Sequence, residues 1–229
     1  MAKIENPFNI KGTNLVTYAG EAEWCKYLLK SMNKSQYSPR GEYSVNLLAN
    51  PEAPDYLAFK AKVELMIDTA YDEAMAGDKL GASKKKVLKK VYPFKDHIMK
   101  EKDDDGKYTI EVETGKMMIV PKLKNVLDRD VGRDYIKLLG EGNREVPRDL
   151  CPEVGNGSIV KCKVYVNPYY MATTGSIGVS FSWGAMKIIE LKEFGGGDSG
   201  ENFDEDEGFT PDVIGNSMDD DTTAENGDY

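Results

Sequence analysis

The sequence predicts a mainly β body with one long α-helix, followed by a disordered acidic tail. Apolar and polar residues alternate over 41–48 and 158–166, which predicts two half-buried strands. Apolar residues recur at helical spacing over 54–76, which predicts the helix. Residues 195–229 begin with three glycines and carry twelve acidic and no basic side chains. A segment so charged and so poor in apolar residues is expected to stay disordered.

The 229 residues are expected to form one domain, residues 1–194, and the tail, residues 195–229. The body carries a net charge of about +3 and the tail −12, so the total of −9 conceals a mildly basic body. Such asymmetry is typical of a nucleic-acid-binding protein or of an interaction tail. Three scattered cysteines favour neither a disulfide framework nor a zinc site. The cysteine usage therefore favours a reducing, cytosolic setting, and no metal or cofactor is expected. No apolar run predicts a signal peptide or a membrane span.

The N-terminal part is predicted to contain two strands with a helix between them. Residues 12–19 form a β-rich first strand, and residues 41–48 form the next one after a turn. Residues 21–32 predict a helix because Trp24, Tyr27 and Leu28 recur at three- and four-residue spacing. The apolar face of the second strand comprises Tyr43, Val45 and Leu47.

The helix over 54–76 is the clearest single element in the sequence. Gly77 is expected to end it, because glycine is a poor helix former and a frequent helix terminator. The apolar stripe that should face the core comprises Tyr56, Phe59, Val63, Met66, Ala70 and Ala74.

The middle of the chain is rich in lysine and gives weaker structural signals. Residues 79–95 contain seven lysines. An Asp-Asp-Asp-Gly turn at 103–106 precedes a predicted strand at 107–112, and 117–120 predicts a short apolar strand. The residue pattern over 123–143 does not distinguish a strand from a helix.

The C-terminal part of the body predicts a β-hairpin. Two β-rich segments, 158–166 and 178–191, flank a predicted turn-forming loop at 167–177 that contains Tyr169 and Tyr170. In the second strand we expect the aromatic side chains, rather than the serines between them, to be buried. The residues expected in the core there are Val179, Phe181 and Trp183, with a stacking platform as the alternative.

Alternation along 158–166 predicts one face that could bind nucleic acid. Lysines neutralise phosphates, and an aromatic ring can stack on a base without reading its identity. The alternative is a solvated strand face with lysines for solubility. Two further tyrosines in the adjoining loop are hard to bury together and favour binding, although loop aromatics can also form a satellite core. The candidate binding residues on this segment are Lys161, Lys163, Tyr165, Tyr169 and Tyr170, opposite a core face of Val160, Cys162, Val164 and Val166.

A second basic and aromatic segment supplies further candidates. It is the densest positive charge in the chain, although a lysine run is also typical of a solvated face. The candidates are Lys84, Lys85, Lys86, Lys89 and Tyr92.

Signals for catalysis are weak throughout. His97 is the only histidine, and neither a GxSxG nucleophile elbow nor a GxxxxGK[ST] phosphate loop is present. We therefore predict a binding protein rather than an enzyme, with His97 on the surface or in a loop.

Three stretches carry a resemblance to a known family. The longest is GNGSIVKCKVYVNPYYMATTGSIGVSFSWGAMKIIELKEFGGG, residues 155–197. A second is Pro39-Arg40-Gly41-x-Tyr43-x-Val45-x-Leu47, and the third is the acidic tail that ends on Tyr229. In these stretches the sequence resembles the single-stranded DNA-binding proteins of T7-like bacteriophages.

The resemblance implies an OB-fold, a five-stranded Greek-key barrel with an inserted helix, that holds single-stranded DNA in a cationic groove lined by aromatic rings. It carries Lys161, Lys163, Tyr169 and Arg40 over as groove residues. It also implies a role in phage DNA replication, recombination and repair in the host cytoplasm. The acidic tail would dock on the phage DNA polymerase and helicase-primase, and a homodimer is possible. The tail residues expected to bind partners are Asp219, Asp220, Asp221, Asp228 and Tyr229.

Two functions from different classes remain open at this stage. The first is non-sequence-specific binding of single-stranded DNA, with recruitment of replication proteins through the tail. The second is a protein–protein adaptor or acidic-tailed chaperone that binds no nucleic acid. The placement of Lys161, Lys163 and Tyr165 on one strand face favours the first, because an adaptor has no need of it.

Overall fold

The computed structural model describes residues 6–25, 29, 33–35, 38–124 and 136–192, with the backbone alone for 33–35, 38–41 and 124. The α-helices of this part are α1 (Pro54–Ala76) and α2 (Ala82–Lys86), and short 3-10 helices lie at Glu141–Asn143 and Arg148–Leu150. The strands are β1 (Thr13–Val16), β2 (Gly20–Glu23), β3 (Asn33–Ser35), β4 (Ser38–Ser44), β5 (Asn46–Ala49), β6 (Lys89–Lys90), β7 (Lys95–Lys102), β8 (Tyr108–Ile119), β9 (Lys122–Lys124), β10 (Lys137–Leu138), β11 (Ile159–Met171) and β12 (Ser176–Glu190).

These strands join into one sheet that does not close on itself within the described residues. The main path runs β3-β4-β9-β12-β11-β2-β5-β8-β7. The long hairpin of β11 and β12 is its centre, because β1 also pairs with β11 while β6 and β10 also pair with β12. The predicted class, mainly β with one long helix, is confirmed.

Helix α1 has the predicted bounds and the predicted buried stripe. Pro54 occupies the first turn, where its missing N–H costs no helical hydrogen bond. The helix ends at Gly77, whose backbone is extended and whose N–H donates to the carbonyl of Glu73 at 2.8 Å. All six predicted stripe residues are buried, together with Ile67.

The main core lies between α1 and the inner face of the central hairpin. The Phe59 ring of α1 lies 5.9 Å from that of Phe181 on β12, and 5.7 Å from that of Tyr18. Trp183 is 1% exposed, and its indole N–H donates to the carbonyl of Ala185 at 3.1 Å. The expectation that Val179, Phe181 and Trp183 lie in the core is therefore confirmed.

A second apolar cluster lies under the C-terminal half of α1. It joins the end of the helix to the start of β12, and Tyr71 and Tyr170 pack against it. Its buried members are Phe8, Ala70, Ala74, Leu80, Leu88 and Ile177.

The helix predicted at 21–32 is wrong at its start, where the chain forms strand β2. Gly20 and Ala22 are buried, and β2 pairs with β5 on one side and with β11 on the other. Glu21 and Glu23 are bound by Lys116 and His97, side chains far along the chain. Tertiary pairing thus overrides the local helical spacing. Residues 26–28 and 30–32 of this prediction lie outside the described residues.

The predicted strand at 41–48 is divided between β4 and β5. Tyr43 pairs with β9, whereas Leu47 pairs with β2 and β8, so the chain changes partners at Val45. Tyr43, Val45 and Leu47 are all buried, as the alternation predicted.

The central hairpin is confirmed, but its predicted long loop is wrong. Strand β11 continues to Met171 and β12 begins at Ser176, which leaves residues 172–175 as the turn. Pro168 is tolerated inside β11 because its nitrogen points away from β12. The N–H of Tyr170, two residues on, points the same way and donates to Asn6 Oδ1 at 3.3 Å. The ladder with β1 ends at Val166, so no strand needs a donor from Pro168.

The strands predicted at 107–112 and 117–120 are one strand, β8, which pairs with the unpredicted β7. A register shift accommodates Gly115, whose φ of 71° suits glycine. The prediction that His97 lies on the surface or in a loop is wrong, because His97 is a buried residue of β7. Its ring nitrogens lie 2.9 Å from Thr114 Oγ1 and 2.9 Å from Glu23 Oε2.

Several predictions fall outside the described residues. These are the disordered tail at 195–229 and most of the undecided segment at 123–143, of which Lys137–Leu138 forms β10.

The strand predicted at 12–19 is confirmed as β1. In the part of the chain that the structure describes, no helix is long and apolar enough to cross a membrane.

Candidate nucleic-acid interface

The outer face of β11 carries the predicted basic and aromatic side chains. Val160, Cys162, Val164 and Val166 are fully buried on one face, as predicted. Lys163 and Tyr165 are exposed on the other face, and Lys161 is half-buried there. The alternation continues past the predicted end of the strand, so Tyr169 belongs to this same outer face.

Neighbouring strands widen this face. Residues directly opposite each other in a ladder project on the same side of the sheet. On β1, Asn14 lies opposite Tyr165 and Val16 lies opposite Lys163. On β12, Ser182 lies opposite Tyr165. We call this surface the outer face; its members are Asn14, Val16, Lys161, Lys163, Tyr165, Asn167, Tyr169, Ser180, Ser182 and Lys187.

Both tyrosines of the outer face lie over glycines. A Cβ atom added to Gly12 would be 2.6 Å from the Tyr165 ring, and one added to Gly178 would be 3.0 Å from the Tyr169 hydroxyl oxygen. The absence of side chains at these two positions lets each ring settle against backbone. Tyr165 nevertheless remains 40% exposed. A ring held from below and open above is suited to stacking on a planar base.

Tyr170 lies on the opposite side of β11 from Tyr169. It pairs with Ile177, which is fully buried, and it packs against the second apolar cluster under α1. The structure therefore does not bring Tyr170 together with the other predicted binding residues. Both tyrosines were predicted to lie in a loop, where alternation does not apply, so the sequence pattern did not separate them.

The second basic segment divides between two surfaces. Strand β6 runs parallel to β12, with Lys89 opposite Ser176 and Lys90 opposite Ile177. Lys90 therefore faces α1, where its Nζ lies 2.6 Å from Asp68 Oδ1. Lys89 projects on the other side, which is the side of Tyr169. Lys84, Lys85 and Lys86 form the short helix α2, with Lys84 and Lys86 exposed and Lys85 half-buried.

Tyr92 does not join the outer face. Its hydroxyl donates to Asp68 Oδ1 at 3.2 Å, so Tyr92 shares with Lys90 one carboxylate on α1. Burial raises the pKa of the Tyr92 hydroxyl, and the charge of Asp68 raises this pKa further. The hydrogen bond to Asp68 raises the pKa of Lys90, which keeps its ammonium charged. This triad fixes β6 against α1.

The remaining predicted site residues lie outside the description of side chains. The backbone of Arg40 lies in β4, but its side chain is not among those described. The predicted partner-binding residues of the tail, Asp219, Asp220, Asp221, Asp228 and Tyr229, fall outside the described residues. Within those that are described, no group of three or more histidine, cysteine or acidic side chains could hold a metal ion.

Comparison of the whole fold with solved structures finds phage proteins. The single-stranded DNA-binding protein gp2.5 encoded by bacteriophage T7 matches with a TM-score of 0.58 at 18% identity, over 82% of this chain and 91% of that one. The protein shares the fold of that phage protein. The resemblance stated from the sequence is thus confirmed at the level of the fold.

A single-stranded DNA-binding protein from bacteriophage Enc34 matches with a TM-score of 0.47 at 12% identity, over 88% of this chain and 94% of that one. The same phage protein in complex with single-stranded DNA matches with a TM-score of 0.49 at 13% identity, over 86% and 97%. No protein-family model and no curated protein matches the sequence.

The structure adds Lys187 to the candidates found from the sequence. Simple alternation from Phe181 and Trp183 would put Lys187 on the core side of β12. The ladder instead shifts between Lys163 and Val164, because Gly184 is an extra residue on β12. Lys187 therefore lies opposite Lys161 on the outer face. Gly184 is the signal in the sequence that could have indicated the bulge, since strand glycines often mark one.

Proposed function

We propose that this protein binds single-stranded DNA without sequence specificity and coats it during phage DNA replication, recombination and repair. The observation that carries the proposal is the outer face of β11, where Lys161, Lys163, Tyr165 and Tyr169 follow one another on one side of a long strand. Thirteen residues of strand span about 40 Å. That length accommodates several nucleotides, as single-strand-binding domains require.

The chemistry of the outer face suits a single strand better than a duplex. Lysine ammonium groups contact phosphates, which every sequence has. The two tyrosine rings would stack on bases, and bases expose their planar faces in a single strand but not within a duplex. Contacts to phosphates and to the planar faces of bases do not identify particular bases. The function is binding, and no catalytic step is involved.

We propose further that the sheet is an OB-type Greek-key barrel with five principal strands and α1 inserted between them. The similarity of fold to the T7 protein supports this proposal. Lys89 of β6 would extend the cationic path beyond Tyr169, and Lys84, Lys85 and Lys86 of α2 would add exposed charge at the same end. Arg40 remains a prediction from the sequence alone, whereas Tyr92 and Tyr170 contact the α1 side of the sheet and are not included in the proposed face.

Salt dependence tests this proposal. Each phosphate contacted on a single strand contributes about −0.7 to the slope of log K against log salt, so several lysines predict a slope of about −2 to −4. Lys163→Ala is expected to make the slope less steep by about 0.7. Lys107→Ala is the matched control, because Lys107 is also exposed but lies at the turn between β7 and β8.

The measurement is oligo(dT) binding by fluorescence anisotropy across a salt series, with a duplex of the same length in parallel. A flat salt response, or a preference for duplex, contradicts the proposal and leaves the adaptor or chaperone function. Equal slopes for the Lys163→Ala and Lys107→Ala variants contradict the assignment of the outer face while leaving DNA binding itself intact.

We also propose that the tail recruits the phage DNA polymerase and helicase-primase in the host cytoplasm, with a homodimer as the possible assembly. Carboxylates such as Asp219, Asp220, Asp221 and Asp228 give attraction without much specificity, whereas a terminal aromatic side chain can enter an apolar pocket. Deleting Tyr229 is therefore expected to abolish capture of the polymerase and leave oligonucleotide affinity unchanged. Undiminished capture by the Tyr229 deletion variant in a pull-down would show that charge alone carries the interaction.

A further inference from the structure

Trp24 is exposed although the strand pattern would bury it. Its side chain is 65% exposed, whereas that of Trp183 is 1% exposed. Continued alternation along β2 would place Trp24 beside Ala22, which is fully buried. The backbone of Trp24 instead has a φ of 59°, in the left-handed region, and this turns the indole outward. A bulky residue in that region is strained, so the surrounding structure must hold it there, as often happens at functional sites.

Hydrogen bonds of the residues on both sides of Trp24 fix its backbone in this conformation. On one side, the N–H of Ala22 donates to the carbonyl of Ser158 at 2.8 Å. On the other side, Cys25 is buried and its N–H donates to Asn156 Oδ1 at 3.1 Å. Trp24 therefore lies at the N-terminal end of β11. Lys161 of the outer face follows Asn156 by five residues along the chain.

Lys192 brings a positive charge to the same turn. A Cβ atom added to Gly157 would be 3.1 Å from Lys192 Nζ, so the lysine side chain extends over that glycine. The N–H of Gly157 donates to the carbonyl of Ala22, two residues before Trp24. The backbone of Lys192 is fixed as well, because its N–H donates to Ser158 Oγ at 2.9 Å. An exposed indole and an exposed ammonium group thus flank one short turn.

We propose that Trp24 and Lys192 form a second aromatic and cationic site, which stacks one base and contacts an adjoining phosphate of the same DNA strand. This inference rests on the proposed function and places one end of the DNA path. Tyr169 lies at the far end of β11, so the bound strand follows β11 from the turn at 155–158 to the turn at 172–175. The strained indole is 65% exposed and so packs little against the described residues, whereas base stacking requires an exposed ring on a fixed backbone.

Tryptophan fluorescence tests this site directly, because the chain contains two tryptophans and the other, Trp183, is buried. Oligo(dT) is expected to quench the fluorescence of the full-length protein and to shield it from iodide. In Trp24→Phe the DNA-dependent quenching should disappear while binding, followed with a dye-labelled oligonucleotide, persists. Trp24→Ala should weaken binding about five- to 150-fold, the range for loss of one stacked base.

Trp24→Gly separates a binding role from a structural one. Glycine adopts positive φ without strain, so this variant should melt at the same temperature or higher. Its DNA affinity should nevertheless fall as far as that of Trp24→Ala. If Trp24 served only to pack the turn, both stability and affinity would decrease together, and the proposal would be overturned.

Lys102 and Tyr108 provide a matched control pair. Lys102 Nζ lies 5.3 Å from the centre of the Tyr108 ring, so the β7–β8 hairpin offers the same chemistry away from the outer face. Lys192→Ala is expected to reduce the salt slope by about 0.7, and Lys102→Ala to leave it unchanged. Tyr108→Ala should not weaken binding.

The outcomes distinguish this inference from the proposed function. The wild-type protein could bind labelled oligo(dT) without any change in its tryptophan fluorescence. If the affinity of Trp24→Ala were then also within twofold of the wild-type affinity, the second site would be wrong, while the assignment of the outer face would be unaffected. If the wild-type protein does not bind oligo(dT), both proposals fail. If the tail-dependent capture of a protein partner decreases in Trp24→Ala while DNA affinity does not, Trp24 contacts protein and the DNA site is overturned.

Discussion

Replacing Tyr165 and Tyr169 together with alanine is expected to weaken single-stranded DNA binding by about 30-fold to 10⁴-fold. Each stacked base contributes about 1–3 kcal/mol, and tenfold in affinity corresponds to about 1.4 kcal/mol. The two tyrosines are four residues apart on β11, or about 13 Å, so they would contact different bases and their effects should nearly add. Titration of labelled oligo(dT) at fixed salt measures the loss.

Stability provides the necessary comparison, and the neighbouring tyrosine provides the matched control. Tyr170 is next to Tyr169 in sequence but packs under α1 beside Ile177. Tyr170→Ala should therefore lower the free energy of unfolding by about 1–2 kcal/mol, because a half-buried aromatic side chain loses its packing. Its DNA affinity should stay close to that of the wild-type protein. Thermal unfolding and DNA titration of the same samples separate the two effects.

The opposite pattern would contradict the assignment of the outer face. If Tyr170→Ala weakened DNA binding while the Tyr165 and Tyr169 double variant did not, the DNA would follow the α1 side of the sheet. If the double variant unfolded at a much lower temperature, the two rings over Gly12 and Gly178 would be structural. Single variants at the two tyrosines then show which ring is responsible.

Local patterns predicted those parts of the fold that depend on one segment at a time. Helix α1 has its predicted bounds because its stripe, its proline at the start and its terminal glycine are all local signals. The inner and outer faces of β11 were likewise predicted, since alternation needs no knowledge of the partner strands. The orientation of Tyr169 followed once the strand was known to continue through Pro168.

Long-range pairing decided what the sequence could not predict. Strand β2 forms where helical spacing was read, because β5 and β11 pair with it from positions far along the chain. Tyr92 and Lys90 turned away from the outer face because Asp68 of α1, more than twenty residues earlier, binds both. The left-handed backbone of Trp24 depends on the turn at 155–158 and has no signature within its own segment.

Removing the acidic tail is expected to raise the affinity of the body for single-stranded DNA by about tenfold or more at low salt. The tail carries a net charge of −12 and would compete with DNA for the lysines of the outer face. A short tether gives an effective concentration in the millimolar range, and inhibition scales with the ratio of this concentration to the dissociation constant of the tail. A dissociation constant of about 100 μM therefore corresponds to about tenfold inhibition.

The geometry of the body favours this competition. The carbonyl of Lys192 accepts a hydrogen bond from the N–H of Gly155 at 2.6 Å, so the last described residues are fixed at the N-terminal end of β11. The tail is predicted from its composition to be a flexible chain, and 35 such residues have an end-to-end distance of about 30–35 Å, which is comparable to the length of β11. The tail that begins at residue 195 could therefore reach the whole outer face, including the site at Trp24.

Two variants test this competition. One ends at residue 197, and the other is a full-length chain in which the acidic residues of the tail are changed to asparagine and glutamine. The neutral tail keeps the length and the bulk of the acidic one. If charge causes the competition, the protein with the neutral tail should bind DNA as tightly as the truncated protein. The advantage of both over the wild-type chain should vanish near 1 M salt, where the Debye length is about 3 Å. Equal affinities of all three proteins at low salt would show that the tail does not occupy the DNA site. An advantage for the truncated protein alone would mean that the tail obstructs the face by volume, and the lysines of β11 would then not be its target.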